Sequence, residues 1–242
     1  MRLIMLDTET TGLSPKQGHK MVEIGAVEVV NRDMSQTRTF HHYINPGRHI
    51  PEDVVRIHGI DDAKVKGKPM FQDIAQDFLD FIQGSTLVIH NAPFDLGFIM
   101  AELEACGLPG IHDMPVIDTL EMAKKQFPRQ RNNLDALCDR FDIERGHREL
   151  HGALLDSELL AEVYLAMTGG RQFSLGMDLG IKTASEFVRM ENARELRAER
   201  SETAALMRRD AVKVRDEDAS MHEKLMRRIA EESHVTPLWK EG

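Results

Sequence analysis

The chain has little cysteine, few large aromatic residues and no long apolar run. Two cysteines among 242 residues do not make a disulfide framework and fit a reducing compartment. No apolar stretch approaches the roughly 20 residues that span a bilayer. The acidic Asp7 interrupts the first apolar run too early for a signal-peptide core. These absences predict a cytoplasmic protein with no membrane partner.

An excess of positive charge is also absent, because 31 Lys and Arg face 40 Asp and Glu. The net charge of −9 argues against coating long nucleic acid by phosphate neutralisation. It does not exclude an enzyme that holds one strand end through metal ions. Residues 1–170 carry 17 basic and 26 acidic side chains, whereas residues 171–242 carry 14 of each. This change predicts a domain of residues 1–170 and a separate C-terminal segment, residues 171–242.

The order of apolar patterns predicts an α/β fold. Three strand-like runs come first, the second at residues 21–30 and the third at residues 37–44. Helical and strand patterns then alternate between residues 69 and 167. This order predicts a mixed sheet flanked by helices. Residues 184–232, rich in Glu, Arg, Ala and Met, predict a tail that is helical or partly disordered.

Two acids follow the first apolar run, in Leu3-Ile4-Met5-Leu6-Asp7-Thr8-Glu9. Side chains alternate along a strand, so Asp7 and Glu9 share one face at a spacing of about 7 Å. Two carboxylates so placed repel each other. Taken alone they are also consistent with solvated acids at a strand end. Oxygen clusters of this kind are what hard divalent cations such as Mg²⁺ bind.

Three later residues add to this pair. Asp95 falls in the first turn of a helix, where the helix dipole alone favours an acid. His151 and Asp156 lie at the start of another helix. Without a catalytic role, Asp156 would be an acid on a solvated helix face, and His151 would form hydrogen bonds with backbone groups. Together the acids match the clamp that two divalent cations form around a phosphodiester, and histidine is a natural base for water. The set predicts metal-dependent phosphodiester hydrolysis.

Three segments of the sequence resemble the motifs of a known family. The segments Asp7-Thr8-Glu9-Thr10-Thr11-Gly12, His90-Asn91-Ala92-Pro93-Phe94-Asp95 and His151-Gly152-Ala153-Leu154-Leu155-Asp156 resemble the three exonuclease motifs of the DEDDh superfamily. The likeness is nearest to the epsilon proofreading subunits of bacterial DNA polymerase III and covers residues 3–170. It implies an RNase H-like fold and 3′→5′ removal of deoxynucleoside monophosphates from a single-stranded or frayed 3′ DNA end.

The resemblance also implies roles for the site residues. Asp7, Glu9 and Asp156 would be ligands of two divalent ions, Mg²⁺ or Mn²⁺, and Asp95 would hold the waters of the second ion. His151 would be the general base.

The resemblance extends to contacts with the terminal nucleotide. Asp53 and His58 match the positions that make them. The loop before His58 is one residue longer than the family pattern, which leaves Glu52 as the alternative to Asp53.

The C-terminal segment carries two candidate partner sites. The ending Leu238-Trp239-Lys240 resembles the family's tail and predicts binding of the polymerase catalytic subunit through Leu238 and Trp239. Residues 172–177 resemble a short sliding-clamp motif with Gln172, Leu175 and Met177 as anchors. An ordinary linker is the alternative interpretation of that stretch.

Two other functions compete with proofreading. One is a free-standing exonuclease that trims RNA, similar to RNase T or oligoribonuclease; such enzymes usually lack a long charged tail. The other is a polymerase scaffold without nuclease activity, against which the complete set of four acids and one histidine argues.

Overall fold

The structure, a computed structural model, describes residues 1–35, 37–145, 150–169 and 180–209. Its centre is a six-stranded sheet in the order β3-β2-β1-β4-β5-β6. β1 pairs antiparallel with β2 and parallel with β4, so the predicted mixed sheet is confirmed. The strands are β1 (Arg2–Thr10), β2 (Met21–Val30), β3 (Thr39–Tyr43), β4 (Thr86–Ile89), β5 (Pro115–Asp118) and β6 (Lys182–Thr183).

Helices connect and cover these strands in the order that the sequence patterns predict from residue 69 onward. The short α2 and the two-residue β6 were not predicted, because neither is long enough to show a periodicity. Within the described ranges the helices are α1 (Glu52–His58), α2 (Asp62–Val65), α3 (Phe71–Ile82), α4 (Ala92–Ala105), α5 (Thr119–Gln126), α6 (Leu134–Arg140), α7 (Ala153–Met167) and α8 (Ala184–Arg209). None of them is both long and apolar enough to cross a membrane.

β1 lies in the middle of the sheet and is covered on both faces. Ile4 and Leu6 pack into the apolar cluster that includes α3 and α4. Leu3 and Met5 pack on the other side, into the cluster that includes α6 and α7. A strand buried on both faces needs an unbroken apolar run, which β1 has up to Asp7. Alternation then carries Asp7 and Glu9 onto the α7 face.

The packed unit extends beyond residue 170, where the sequence predicted a boundary. β6 pairs with β5, and Ala184 and Phe187 at the start of α8 are fully buried in the same cluster as α3 and α4. The first compact unit accordingly comprises Met1–Asn192, and the second begins at Ala193. Composition did not reveal this, because a short strand and two apolar side chains hardly change the charge balance.

Candidate active site

The acids at the end of β1 meet the front of α7. Ligand atoms of Glu9, His151 and Asp156 all lie within 4.8 Å of one another. Nδ1 of His151 is 3.1 Å from Oδ2 of Asp156. Asp7, Asp156 and His151 line one small pocket of about 210 Å³. The structure therefore brings together the strand acids and the helix residues that the sequence selected.

Asp95 reaches the same place from the opposite face of the sheet. It lies in the first turn of α4, is buried, and accepts a hydrogen bond of 2.7 Å from Oγ1 of Thr8. Thr8 points away from Asp7 and Glu9 because neighbouring strand residues alternate. After burial, the charge of Asp95 is nevertheless the largest influence on the pKa of Asp7. Four acids thus gather around the end of one strand.

Burial raises the pKa values of three of these carboxyls, and the charges of neighbouring acids raise them further. Burial, then Asp95 and Glu9, hold the pKa of Asp7 well above its usual range. Burial, then Asp156, raise the pKa of Glu9 to about 8, against the opposing charge of His151. Burial raises the pKa of Asp95 to about 7 despite the hydrogen bond from Thr8. Such shifts mark a site that favours added positive charge.

Glu23 is a buried fifth acid beside this cluster that the sequence analysis did not single out. It lies directly opposite Glu9 across the β1–β2 ladder. Its Oε2 accepts the backbone N–H of Ala153 at 3.1 Å, and its Oε1 lies 2.7 Å from Nε2 of His41. Since the N-cap Gly152 has no side chain, Glu23 satisfies the first turn of α7 in its place. The alternation of side chains along the second strand was the sequence signal that could have identified Glu23.

Gly25 and Ser157 hold α7 close against β2. A Cβ atom at Gly25 would lie 2.3 Å from the backbone of Ala153 and Leu154, so only glycine allows this approach. Oγ of Ser157, the residue after Asp156, donates a 2.9 Å hydrogen bond to the carbonyl of Gly25. These two contacts therefore set the position of α7, and of Asp156 on it, relative to β2.

Asp118 orders the turn that leads into α4 and Asp95, and the sequence analysis did not single it out either. Its carboxylate accepts the backbone N–H groups of Asn91 and Ala92 at the start of α4. It also accepts those of Leu120 and Glu121 at the start of α5. Asn91 has a left-handed backbone, with φ of 73°. One carboxylate thus fixes the strained turn from which α4 and Asp95 begin.

The predicted nucleotide contacts differ in their surroundings. His58 is buried and its Nδ1 accepts the backbone N–H of Ile60 at 3.0 Å. Burial lowers its pKa, and the charges of Glu23 and His151 act on it, so His58 lies beside the acidic cluster. Glu52 and Asp53 are both exposed in the first turn of α1. A role for Asp53 stays a prediction.

The predicted partner contacts fall in two stretches of the C-terminal segment. Gln172, Leu175, Met177, Leu238 and Trp239 all lie outside the described residues.

The donor set fits divalent cations. Carboxylate oxygens are the ligands that Mg²⁺ and Mn²⁺ prefer, and a protein retains repelling acids where a cation offsets their charge. Among the described residues, Glu9, His151 and Asp156 form a group close enough to share one ion. Asp7 and Asp95 bring two more carboxylates to the same cluster.

Comparison with known proteins agrees with this geometry. The exonuclease family RNase_T matches residues 4–164. The DNA polymerase III subunit epsilon of Rickettsia felis is 52% identical over 187 residues, which cover 76% of this chain and 81% of that protein. The Haemophilus influenzae protein of the same name is 51% identical over 176 residues, covering 70% and 68%.

Solved structures give the same fold. Exonuclease X in complex with 5′ overhanging duplex DNA has a TM-score of 0.56 at 25% identity and covers 77% of this chain and 99% of that chain. The nuclease domain of 3′hExo, a DEDDh family member bound to rAMP, has a TM-score of 0.59 at 18% identity, covering 73% and 97%. At that identity the second likeness shows the fold alone.

The raised pKa values predict how the metal-free protein responds to pH. Asp7, Glu9 and Asp95 keep protons in the folded state at pH values where the unfolded chain has lost them. The folded state then binds more protons, so their contribution to stability falls as pH rises from about 5 towards about 8. Asp7→Asn should therefore increase the free energy of unfolding of the metal-free protein, and by more at pH 8 than at pH 6. Urea unfolding in EDTA measures this difference.

The exposed acid Glu158 on α7 supplies the control for this comparison. Glu158→Gln should change the free energy of unfolding little at either pH. An Asp7→Asn protein that is less stable than the wild type at pH 8 would contradict the argument.

Proposed function

Because the chain belongs to the exonuclease family and, within it, to the DNA polymerase III epsilon subunits, we propose that it is the proofreading 3′→5′ exonuclease of a replicative polymerase. The observation that carries the proposal is the convergence of four acids and His151 at the end of β1. The substrate would be a single-stranded or frayed 3′ DNA end. The identities of 52% and 51% to two proteins of that name favour DNA proofreading over RNA trimming.

The acids would hold two divalent cations, Mg²⁺ or Mn²⁺. Asp7, Glu9 and Asp156 would be direct ligands, and Asp95 would hold the waters of the second ion. When bound, the ions would offset the negative charge that builds up on the phosphate oxygens during attack. The raised pKa values of Glu9 and Asp95 mean that cation binding expels protons from this cluster.

His151 would act as the general base. Its Nδ1 faces Oδ2 of Asp156, and that contact orients the ring and leaves Nε2 as the nitrogen assigned to the water proton. The water oxygen would attack the terminal phosphorus as the proton passes to Nε2. The bond from phosphorus to the 3′ oxygen of the preceding nucleotide would break, and the 3′ oxygen would take up a proton. A nucleoside 5′-monophosphate would then leave.

Single substitutions test the acids. Asp156→Ala should abolish Mg²⁺-dependent release of mononucleotides from a 3′ single-stranded oligonucleotide, because it removes a ligand from the centre of the cluster. The fold should persist, since the substitution also relieves repulsion. Glu162→Ala, which removes an exposed acid from the same helix, should leave the rate unchanged. Substantial metal-dependent activity in pure Asp156→Ala protein would refute the assignment.

His151 is tested by rate and pH together. His151→Ala should lower kcat by roughly 10²–10⁴-fold, the usual contribution of a general base. Binding of Mn²⁺ and of DNA, measured by calorimetry and fluorescence anisotropy, should persist. The wild-type rate should fall at acid pH, where imidazole is protonated and no longer accepts a proton. A variant with the wild-type rate and the same acid limb would place the base elsewhere.

The C-terminal segment would bind partners, as the sequence predicts. Leu238 and Trp239 would anchor the polymerase catalytic subunit, because large apolar side chains dominate interface energies. Gln172, Leu175 and Met177 would make a weaker contact with the sliding clamp. Two linked contacts would raise the effective concentration of the nuclease at the primer end.

Truncation tests whether nuclease activity and polymerase binding belong to different parts of the chain, with the boundary taken from the structure. A chain that ends at Asn192 keeps β6 and Phe187, and should degrade free single-stranded DNA at the full-length rate. It should not bind the polymerase catalytic subunit in gel filtration. Leu238→Ala/Trp239→Ala in the full chain should lose the same binding. If the truncated chain still bound the polymerase, the contact would belong to the nuclease unit.

A further inference from the structure

A second, larger groove adjoins the catalytic pocket. Its volume is about 630 Å³, against about 210 Å³ for the pocket that holds Asp7, His151 and Asp156. His90 and Asn133 line both, so the groove lies directly next to the catalytic pocket. None of the roles assigned so far uses it.

The groove is basic, although the chain as a whole is acidic. Residues 124–133, from the end of α5 to the start of α6, contain four Lys or Arg and no acid, whereas the whole chain has a net charge of −9. Lys124 and Arg129 line the groove, and both are exposed. Burial lowers the pKa of the wall residue His90 to about 4, so that wall is neutral. Positive charge is thus concentrated beside the acids.

The loop between α5 and α6, which carries Arg129, is held in a fixed shape by Arg140 on α6. The guanidinium of Arg140 lies 4.3 Å from the ring centroid of Phe127. It donates hydrogen bonds to Oδ1 of Asn132, to Oε1 of Gln130 and to the carbonyl of Arg131. The buried Asn132 in turn donates to the carbonyl of Phe127 at 3.1 Å. The groove is therefore preformed and needs little ordering when it binds.

Arg129 itself has a left-handed backbone, with φ of 65°. A non-glycine residue keeps such a conformation only where its surroundings impose it. The strain agrees with a loop that is shaped to present its side chains.

We propose that this groove binds the sugar–phosphate backbone of the DNA strand on the 5′ side of the scissile phosphate, with Lys124 and Arg129 contacting successive phosphates. The inference rests on the proposed function and adds the path of the substrate. A strand whose terminal phosphate lies among the acids must leave that pocket, and this groove shares two lining residues with it. Two exposed cations suit a polyanion that the acidic surface would otherwise repel.

Two substrates distinguish strand binding in the groove from hydrolysis in the catalytic pocket. A 3′ single-stranded oligonucleotide occupies both sites, whereas the 5′-nitrophenyl ester of thymidine monophosphate has no further phosphates and occupies the catalytic pocket alone. Lys124→Ala/Arg129→Ala should raise KM for the oligonucleotide several-fold and leave kcat unchanged. Hydrolysis of the ester should not change. The slope of log KM against log salt should fall by about 1.4, since each single-strand phosphate contact contributes about 0.7.

Lys66→Ala/Arg189→Ala is the matched control. It removes the same charge from exposed residues that line neither cavity, and should leave KM and the salt slope at wild-type values. An effect of equal size in the control would show that the change in KM reflects net charge and not contacts in the groove, and would overturn the proposal. An ester KM that rises as much as the oligonucleotide KM would show that the groove holds the terminal nucleotide, and would also overturn it.

A binding measurement without hydrolysis tests the groove independently of the proposed exonuclease activity. Fluorescence anisotropy of a labelled oligonucleotide in EDTA should show weaker binding for Lys124→Ala/Arg129→Ala than for the control. If the wild type bound DNA in this way but hydrolysed neither substrate, the proposed function would fail while the groove remained. If both variants bound as tightly as the wild type, the groove would carry no strand.

Discussion

Repulsion among carboxylates is the constraint on which the rest of this structure depends. Asp7, Glu9, Asp95 and Asp156 gather at the end of the central strand. Burial and then the charges of the other acids raise the pKa of Asp7 and of Glu9, the latter to about 8. Left to itself such a cluster would spread apart. It persists because each acid is carried by an element with its own packing.

The supporting contacts are apolar packing, one close backbone approach, and hydrogen bonds between side chains and backbone groups. β1 is fixed by its apolar faces, and α7 by the close approach of Gly25 and the hydrogen bond from Ser157. Glu23 satisfies the first turn of α7, and Asp118 does the same for α4 and α5. None of these contacts is made by the carboxylates of Asp7, Glu9, Asp95 or Asp156. The stability of the scaffold can therefore offset the unfavourable charge of the site.

Charge is distributed so that the strongly acidic pocket lies beside a basic groove. The acids suit cations, and Lys124 and Arg129 suit the polyanion that must approach them. Were the groove as acidic as the remainder of the chain, long-range repulsion would oppose binding of DNA. The loop between α5 and α6 is held by Arg140, so this local reversal of charge is part of the folded structure.

The sequence by itself determined the features that depend on local periodicity. Alternation along β1 placed Asp7 and Glu9 on one face, and the motif at the front of α7 supplied His151 and Asp156. Only the tertiary structure decided that Asp95 arrives from the other face of the sheet, that Glu23 lies opposite Glu9, and that Phe187 returns to the core. These depend on strand register and on contacts between residues distant in the chain, which no local pattern records.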